Sequence, residues 1–178
     1  MLNSLFWIVP VCSVLALVFA WLFFKQLMRS SEGTDRMKEI AQHVREGAMA
    51  YLKQQYKIVS IFFIILTIIF AILAYGFELQ NTWVPFAFIT GGFFSGLAGF
   101  FGMKTATYAS ARTANAARES LDKGLKIAFR SGAVMGLVVV GLGLLDISLW
   151  FIVLNAFVEM DPIHKMMIIT TTMLTFGM

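Results

Sequence analysis

A single acidic residue lies far inside an apolar stretch of this sequence. Asp146 lies 16 residues past Arg130, a distance of about 24 Å along a helix. An acid inside a membrane segment is costly and commonly marks an ion or proton path, so Asp146 is a candidate ion-path ligand. The alternative is a hydrogen bond to a neighbouring helix, or contact with water at the far headgroups. The distance from Arg130 places Asp146 nearer the far membrane surface than the midplane, which favours the alternative.

A polar cluster follows a different apolar stretch. Arg112, Asn115 and Arg118 are spaced three residues apart, so they lie close together on a helix. Their side chains carry donors that could contact a phosphate group. Helix capping, lipid headgroups or packing against neighbouring helix ends would use the same side chains. We favour these non-catalytic interpretations.

The other titratable residues are dispersed. Asp35 and Glu39 share a helix face at i, i+4 spacing and could bind Mg²⁺, but Lys38 lies beside them and favours a solvated charged face. His43 and His164 are isolated in the sequence, and the topology inferred below places them on opposite sides of a membrane. They therefore make neither a metal pair nor a catalytic triad. No catalytic, cofactor-binding or metal-binding set is apparent in this segment.

The elements that carry these residues are apolar helices. The chain has 178 residues, of which 59% are hydrophobic and 13% charged, whereas soluble domains are about 25% charged. Apolar runs without strand-like alternation predict helices that cross a bilayer. The predicted fold is all-α: a polytopic membrane helix bundle with four complete transmembrane helices and the start of a fifth. Because the last apolar run is short, we expect the chain to be the first part of a longer protein; a re-entrant terminal segment is the alternative. The predicted spans are about 5–24, 58–76, 84–103, 131–156 and, incomplete, 166–178.

Basic residues indicate the orientation. Segments 25–57 and 104–130 contain seven and six Lys or Arg residues, and the rest of the chain contains only Lys165. This 13-to-1 split predicts that both segments are cytoplasmic and that the N-terminus is outside. The net charge of +4 then reflects topology and anionic lipid rather than a nucleic-acid partner.

Helical spacing predicts that two of the spans extend beyond the membrane. Gly33 should break the chain, and an uninterrupted helix of about 40 residues should run from Asp35 to Tyr75, capped by Thr34 or Asp35. Small residues at every fourth position of the third helix, and Gly132 with Gly136 on the fourth, predict close helix contacts. The third helix stripe comprises Gly102, Ala106, Ser110 and Ala114.

Two blocks, Glu46–Tyr56 and Gly99–Arg118, resemble signatures of the ion-pumping membrane pyrophosphatases. Gly124–Asp146 and Thr175–Met178 also fit that family, so the resemblance covers most of the chain. It implies a sixteen-helix homodimer in a prokaryotic plasma membrane that hydrolyses cytoplasmic pyrophosphate and exports H⁺ or Na⁺. Mg²⁺ is the implied cofactor, with K⁺ stimulation in some members.

The resemblance also implies a division of labour within the complete protein. This segment would supply four outer-ring helices and the beginning of inner helix five, and the catalytic and gate residues would lie in the remaining helices of the same chain. The segment alone should be inactive, since several Mg²⁺ ions are needed to neutralise pyrophosphate and orient water. A non-catalytic membrane subunit and half of a secondary transporter are the alternative functions.

Overall fold

The computed structural model describes residues 4–77, 80–157 and 162–176, and every regular element in these ranges is helical. A short 3₁₀ turn at Ser4–Trp7 leads into the first of five α-helices. The first four helices are long and apolar enough to cross a membrane. The predicted all-α membrane bundle is therefore confirmed. The five helices are α1 (Ile8–Met28), α2 (Asp35–Tyr75), α3 (Val84–Glu119), α4 (Leu121–Phe157) and α5 (Pro162–Phe176).

The turn between α1 and α2 depends on one glycine and one cap. Gly33 has φ +94°, in the left-handed region that disfavours side chains. Thr34 is extended, and its hydroxyl oxygen accepts a hydrogen bond from the Met37 backbone N–H. Since neither proline nor a further break follows, α2 continues for 41 residues. The prediction of one long helix capped at Thr34 is confirmed.

A single residue separates α3 from α4. Ser120 is extended, with φ −163° and ψ 150°, and its hydroxyl oxygen accepts from the Lys123 backbone N–H. Segment 104–130 therefore consists of the end of α3 and the beginning of α4 and is not a loop. Gly124 permits this sharp reversal, because a Cβ there would lie 2.8 Å from the Ala117 Cβ.

The helices pack around α3 and α4. Among the described elements, α3 contacts every other α-helix and α4 contacts α1, α3 and α5, whereas α2 contacts only α3. Two small apolar clusters hold α1, α3 and α4 together, one within the apolar spans and one nearer the basic ends. The first contains Ala20, Ala98, Val134 and Val138, and the second contains Leu27, Ala109 and Ile127.

Within the described residues, the predicted small-residue stripes contact neighbouring helices at only some of their positions. Gly132 and Gly136 have open space where a Cβ would project, and α4 instead approaches α1 at Gly141, against Leu17. On α3, Gly102 is buried but Ala106, Ser110 and Ala114 are exposed. A strict four-residue step drifts around a helix, whereas alternating steps of three and four stay on one face. The buried face of α3 follows the alternating pattern through Gly102, Thr105, Ala109 and Arg112.

The helix that carries the fifth apolar segment begins before the predicted membrane span. Helix α5 starts at Pro162 rather than near residue 166, consistent with the preference of proline for a first helical turn. Its last described residue is Phe176. Gly177 and Met178, which belong to the Thr175–Met178 motif, lie outside the described residues.

Candidate functional site

The two sequence blocks lie against each other on α2 and α3. The Tyr56 hydroxyl donates a 2.5 Å hydrogen bond to the Gly96 carbonyl oxygen. A Cβ on Gly99 would lie 3.1 Å from the same hydroxyl, so the glycine leaves room for the tyrosine. Near the opposite end of the first block, the Arg45 guanidinium lies 4.8 Å from the Tyr108 ring centre. Helices α2 and α3 therefore contact each other near both ends of the first block.

Arg112 is the centre of a polar cluster at the basic end of the bundle. Only 6% of the surface of Arg112 is exposed to solvent. Nη1 donates 2.7 Å hydrogen bonds to Glu32 Oε1 and to the Tyr108 carbonyl, and Nε donates a 3.0 Å bond to the Ser30 carbonyl. The side chain thereby connects α3 to the turn that precedes α2.

Glu32 accepts from a second arginine. Arg45 Nη1 lies 2.7 Å from Glu32 Oε1, so one carboxylate joins two guanidinium groups. The Tyr108 ring lies close to both cations, with the Arg112 guanidinium 5.7 Å from its centre. The hydrogen bond from Arg45, together with the positive charges of both arginines, holds the pKa of Glu32 below its usual range despite partial burial. The cluster is an ion-pair junction between the turn, α2 and α3.

The other two residues of the predicted cluster lie beside this junction. Asn115 Nδ2 donates a 3.5 Å bond to the Ser31 carbonyl, and its Oδ1 lies 2.7 Å from the position of a Cβ on Gly33. Arg118 is exposed and its Nη1 lies 3.7 Å from Met37 Sδ. The structure therefore brings Arg112 and Asn115 to the same turn and leaves Arg118 at the periphery.

Glu32 and Arg45 are essential to this junction, and the sequence pattern did not reveal them. Glu32 lies 80 residues from Arg112 and 13 from Arg45, so no local spacing connects the three. The only available signal was the acid directly before a turn glycine. A cavity of about 290 Å³ opens next to the junction, lined by Arg112, Asn115 and the basic face of α4.

The dispersed acids on α2 pair with their own helix. Asp35 accepts from Lys38 and Glu39 from Arg36, each at 2.8 Å. The hydrogen bond from Lys38 lowers the pKa of Asp35. Within the described ranges no group of three His, Cys, Asp or Glu side chains could hold a metal ion. These residues do not fit a Mg²⁺ site.

Asp146 occupies the opposite half of the bundle and is buried. Only 2% of the surface of Asp146 is exposed to solvent. Its carboxyl group contacts the Thr90 hydroxyl of α3, while Oδ2 has no hydrogen-bond partner. Thr90 Oγ1 also accepts a 2.7 Å bond from Trp150 Nε1, one turn further along α4. The structure thus places Asp146 at a helix–helix interface, about 24 Å along α4 from Arg130.

Comparison with known proteins identifies the family. A family model described as inorganic H⁺ pyrophosphatase matches residues 14–178. A relative from Bacteroides thetaiotaomicron, named as a K(+)-stimulated pyrophosphate-energized sodium pump, is 71% identical over 99% of this chain. A Clostridium tetani relative of the same name is 46% identical over 71% of the chain.

A Methanosarcina mazei relative is more distant and carries a different name. It is 36% identical over 85% of the chain and is named a K(+)-insensitive pyrophosphate-energized proton pump. The chain spans about a quarter of the length of these relatives, with 24%, 18% and 22% covered in the three cases. The family match extends from the middle of α1 to the last residue, so it includes both polar sites, and the chain belongs to the inorganic H⁺ pyrophosphatase family.

Proposed function

We propose that this chain is the N-terminal outer-ring segment of a K⁺-stimulated pump that hydrolyses cytoplasmic pyrophosphate and exports Na⁺. The observation that carries the proposal is the 71% identity, over 99% of the chain, to a relative named as such a sodium pump. Export of H⁺ is the competing possibility, because relatives named as proton pumps share 36% and 40% identity with this chain.

The proposed topology places the N-terminus outside and segments 25–57 and 104–130 in the cytoplasm. The contacts of Arg112 with Ser30 and Glu32 support a common location for the two basic segments. At the other end of the bundle, Trp83 and Trp150 pack with ring centres 6.4 Å apart, as expected for an aromatic belt at a membrane interface. Helix α2, at 41 residues, is about 60 Å long and exceeds the ~30 Å hydrocarbon core.

The segment would contribute architecture rather than chemistry. Pyrophosphate and the Mg²⁺ ions that neutralise its charge would bind to other helices of the same polypeptide, since the described residues offer no fitting ligand set. K⁺ would act there as well. The Arg112 junction would fix the cytoplasmic ends of α2 and α3 against which those helices pack. We further propose a homodimer in a prokaryotic plasma membrane.

Transport by the complete pump tests the proposed function. In inside-out vesicles, Mg-pyrophosphate should cause phosphate release together with uptake of ²²Na⁺, and K⁺ should raise both rates. A non-hydrolysable analogue with a P–N–P bridge is the matched control and should support neither. Uptake of H⁺ without Na⁺ would contradict the proposed ion. Folded protein that releases no phosphate with Mg²⁺ and K⁺ present would instead favour a non-catalytic membrane subunit.

Labelling of single cysteines tests the proposed topology. Cys12 is the only cysteine among these 178 residues, so a background in which Cys12 and every cysteine of the remaining polypeptide are replaced by Ser can carry one new thiol at each end. Gln80→Cys and Ser120→Cys form a matched pair, because both positions are exposed. In intact cells a membrane-impermeant maleimide should label the Gln80→Cys variant only, and in inverted vesicles it should label the Ser120→Cys variant only. The reverse pattern would overturn the orientation.

A further inference from the structure

Asp146 has no countercharge in the helices that surround it. Residues 8–24 of α1, 84–103 of α3 and 131–157 of α4 contain no other Asp, Glu, Lys, Arg or His. On α5, His164 is exposed and Lys165 Nζ donates to the Asn155 carbonyl at 2.8 Å, two and a half turns beyond Asp146. Glu78, Glu159 and Asp161, in the connecting segments, lie outside the described residues and are acidic. An isolated buried carboxylate is so costly that such groups normally become neutral.

The burial of Asp146 comes from this chain itself. With 2% exposure, the carboxyl group is enclosed by α3 and α4 before any further helix of the complete protein is added. A partner from elsewhere in the polypeptide would have to displace these helices to reach it. Neutralisation therefore requires something as small as a proton or a bare cation.

The hydrogen bonds of Thr90 indicate that a proton, rather than a metal cation, neutralises Asp146. A hydroxyl group has one hydrogen to donate and two lone pairs to accept with. Thr90 donates at 3.1 Å to the Ala87 carbonyl and accepts from Trp150 Nε1 at 2.7 Å. One lone pair then remains, and the carboxyl group of Asp146 contacts this hydroxyl. A protonated Asp146 satisfies it without breaking either bond.

The ionised form would be less well accommodated. Thr90 would have to turn its hydrogen from Ala87 to the carboxylate, and Oδ2 would remain a buried charged atom without a partner. With the proton on Oδ1, Oδ2 is a neutral carbonyl oxygen, for which lack of a partner is far less costly. Among the described side chains, a metal cation would find the carboxyl group and the Thr90 hydroxyl, whereas hard cations take six or more oxygen ligands.

We propose that Asp146 is a proton-binding site of the membrane domain: its carboxyl group is neutral, and Oδ1 donates its proton to Thr90 Oγ1. The bound proton connects α4 to α3. Asp146 is thus a positioning residue at this helix contact. This inference is independent of the proposed pumping activity, because it concerns the state of one side chain in the folded protein.

Infrared spectroscopy of the complete protein in lipid tests the proposal directly. The difference spectrum between wild type and Asp146→Asn should show one protonated-carboxyl stretch that moves on H/D exchange. Ser148→Ala is the matched control. Ser148 is equally buried on the same helix, and its hydroxyl donates to the Leu144 carbonyl of that helix. This control should leave the band unchanged. Loss of a carboxylate band instead of a protonated-carboxyl band would overturn the proposal.

A second variant keeps the test valid if Asp146→Asn fails to fold. Thr90→Val retains Asp146 but removes the hydrogen-bond acceptor, so the protonated-carboxyl band should shift. Absence of any shift would contradict donation to Thr90. A cation at this site would reveal itself as an increase of the melting temperature with Na⁺ that wild type shows and Asp146→Asn lacks, and that result would also overturn the proposal.

Discussion

Arg112 and Asp146 are both almost fully buried, at 6% and 2% exposure, yet their surroundings differ. Arg112 bonds to a carboxylate and two carbonyl oxygens, whereas Asp146 has one hydroxyl neighbour and a bare Oδ2. Arg112 lies where charged helix ends meet, so a carboxylate is available to pair with it. Asp146 lies among apolar helix segments that contain no other charged side chain. The basic end keeps its buried charge by pairing, whereas Asp146 has no such partner among the described residues and is the group that we propose to be neutral.

Removing Arg112 should have the largest effect. Arg112→Met leaves the Ser30 carbonyl without a donor and Glu32 with one arginine, so we expect a loss of about 3 kcal/mol in the free energy of unfolding. Thermal unfolding in detergent measures it. Arg118→Met is the control: Arg118 is exposed, and its loss should cost less than about 0.5 kcal/mol. Equal effects of the two variants would contradict the junction.

The turn that presents Glu32 should be the next most sensitive feature. Gly33→Ala forces a side chain onto φ +94° and places its Cβ 2.7 Å from Asn115 Oδ1 and Met37 Sδ. We expect a loss of about 1–3 kcal/mol in unfolding free energy. Gly47→Ala is the opposite case, since that helical position has nothing within 4 Å and alanine should stabilise by about 0.5–1 kcal/mol. Effects of the same sign would disprove this account.

Acidification should weaken the junction by a smaller amount. Because the pKa of Glu32 is lowered from 4.5 in the folded state, its carboxylate contributes stability above about pH 4.5 that is lost as the pH falls further. Asp35 and Glu119 titrate in the same direction, so the informative quantity is the difference between wild type and Glu32→Gln. That difference in melting temperature should shrink below pH 4.5. A constant difference would show that Glu32 is not ionised in the junction.

Tyr108 should contribute less than the ion pairs that it contacts. Its ring lies 4.8 Å and 5.7 Å from the guanidinium groups of Arg45 and Arg112. Tyr108→Leu should cost about 1 kcal/mol through loss of these cation–π contacts, and Tyr108→Phe should be nearly neutral because the ring remains. Equal losses in melting temperature for the two variants would assign the effect to the hydroxyl instead.

An effect as small as that of Tyr108 is expected at Asp146. Asp146→Ala removes one neutral hydrogen bond, so we expect a loss of about 1 kcal/mol in unfolding free energy, with no dependence on salt. Ser148→Ala serves as the comparison on the same helix. A stabilisation by several kcal/mol would mean that an ionised carboxylate had been removed, and the contrast between the two regions would fail.

Local patterns predicted the elements that depend on few residues. The all-α membrane bundle follows from uninterrupted apolar runs, and α2 follows from a glycine, a threonine cap and 41 residues without a break. The one-residue reversal at Ser120 was not predicted. It depends on the contact between Gly124 and Ala117, which forms only once α3 and α4 lie side by side.

The candidate sites were only partly predictable. Arg112, Asn115 and Asp146 were selected because polar groups are conspicuous in an apolar chain, but Arg118 lies at the periphery. Glu32 was not selected as a partner, because its 80-residue separation from Arg112 leaves no periodic signal.

The sequence by itself determined which segments avoid water and which end of the bundle carries the positive charge. It also determined the family to which the chain belongs. The tertiary structure decided how each buried polar group is satisfied. Glycine spacing did not predict which helix faces meet, since Gly141 and not Gly136 lies against α1. Nor could sequence show that Arg112 gains a carboxylate while Asp146 gains only a hydroxyl, because hydrogen bonds and ion pairs act over a few ångströms in space and have no fixed spacing along the chain.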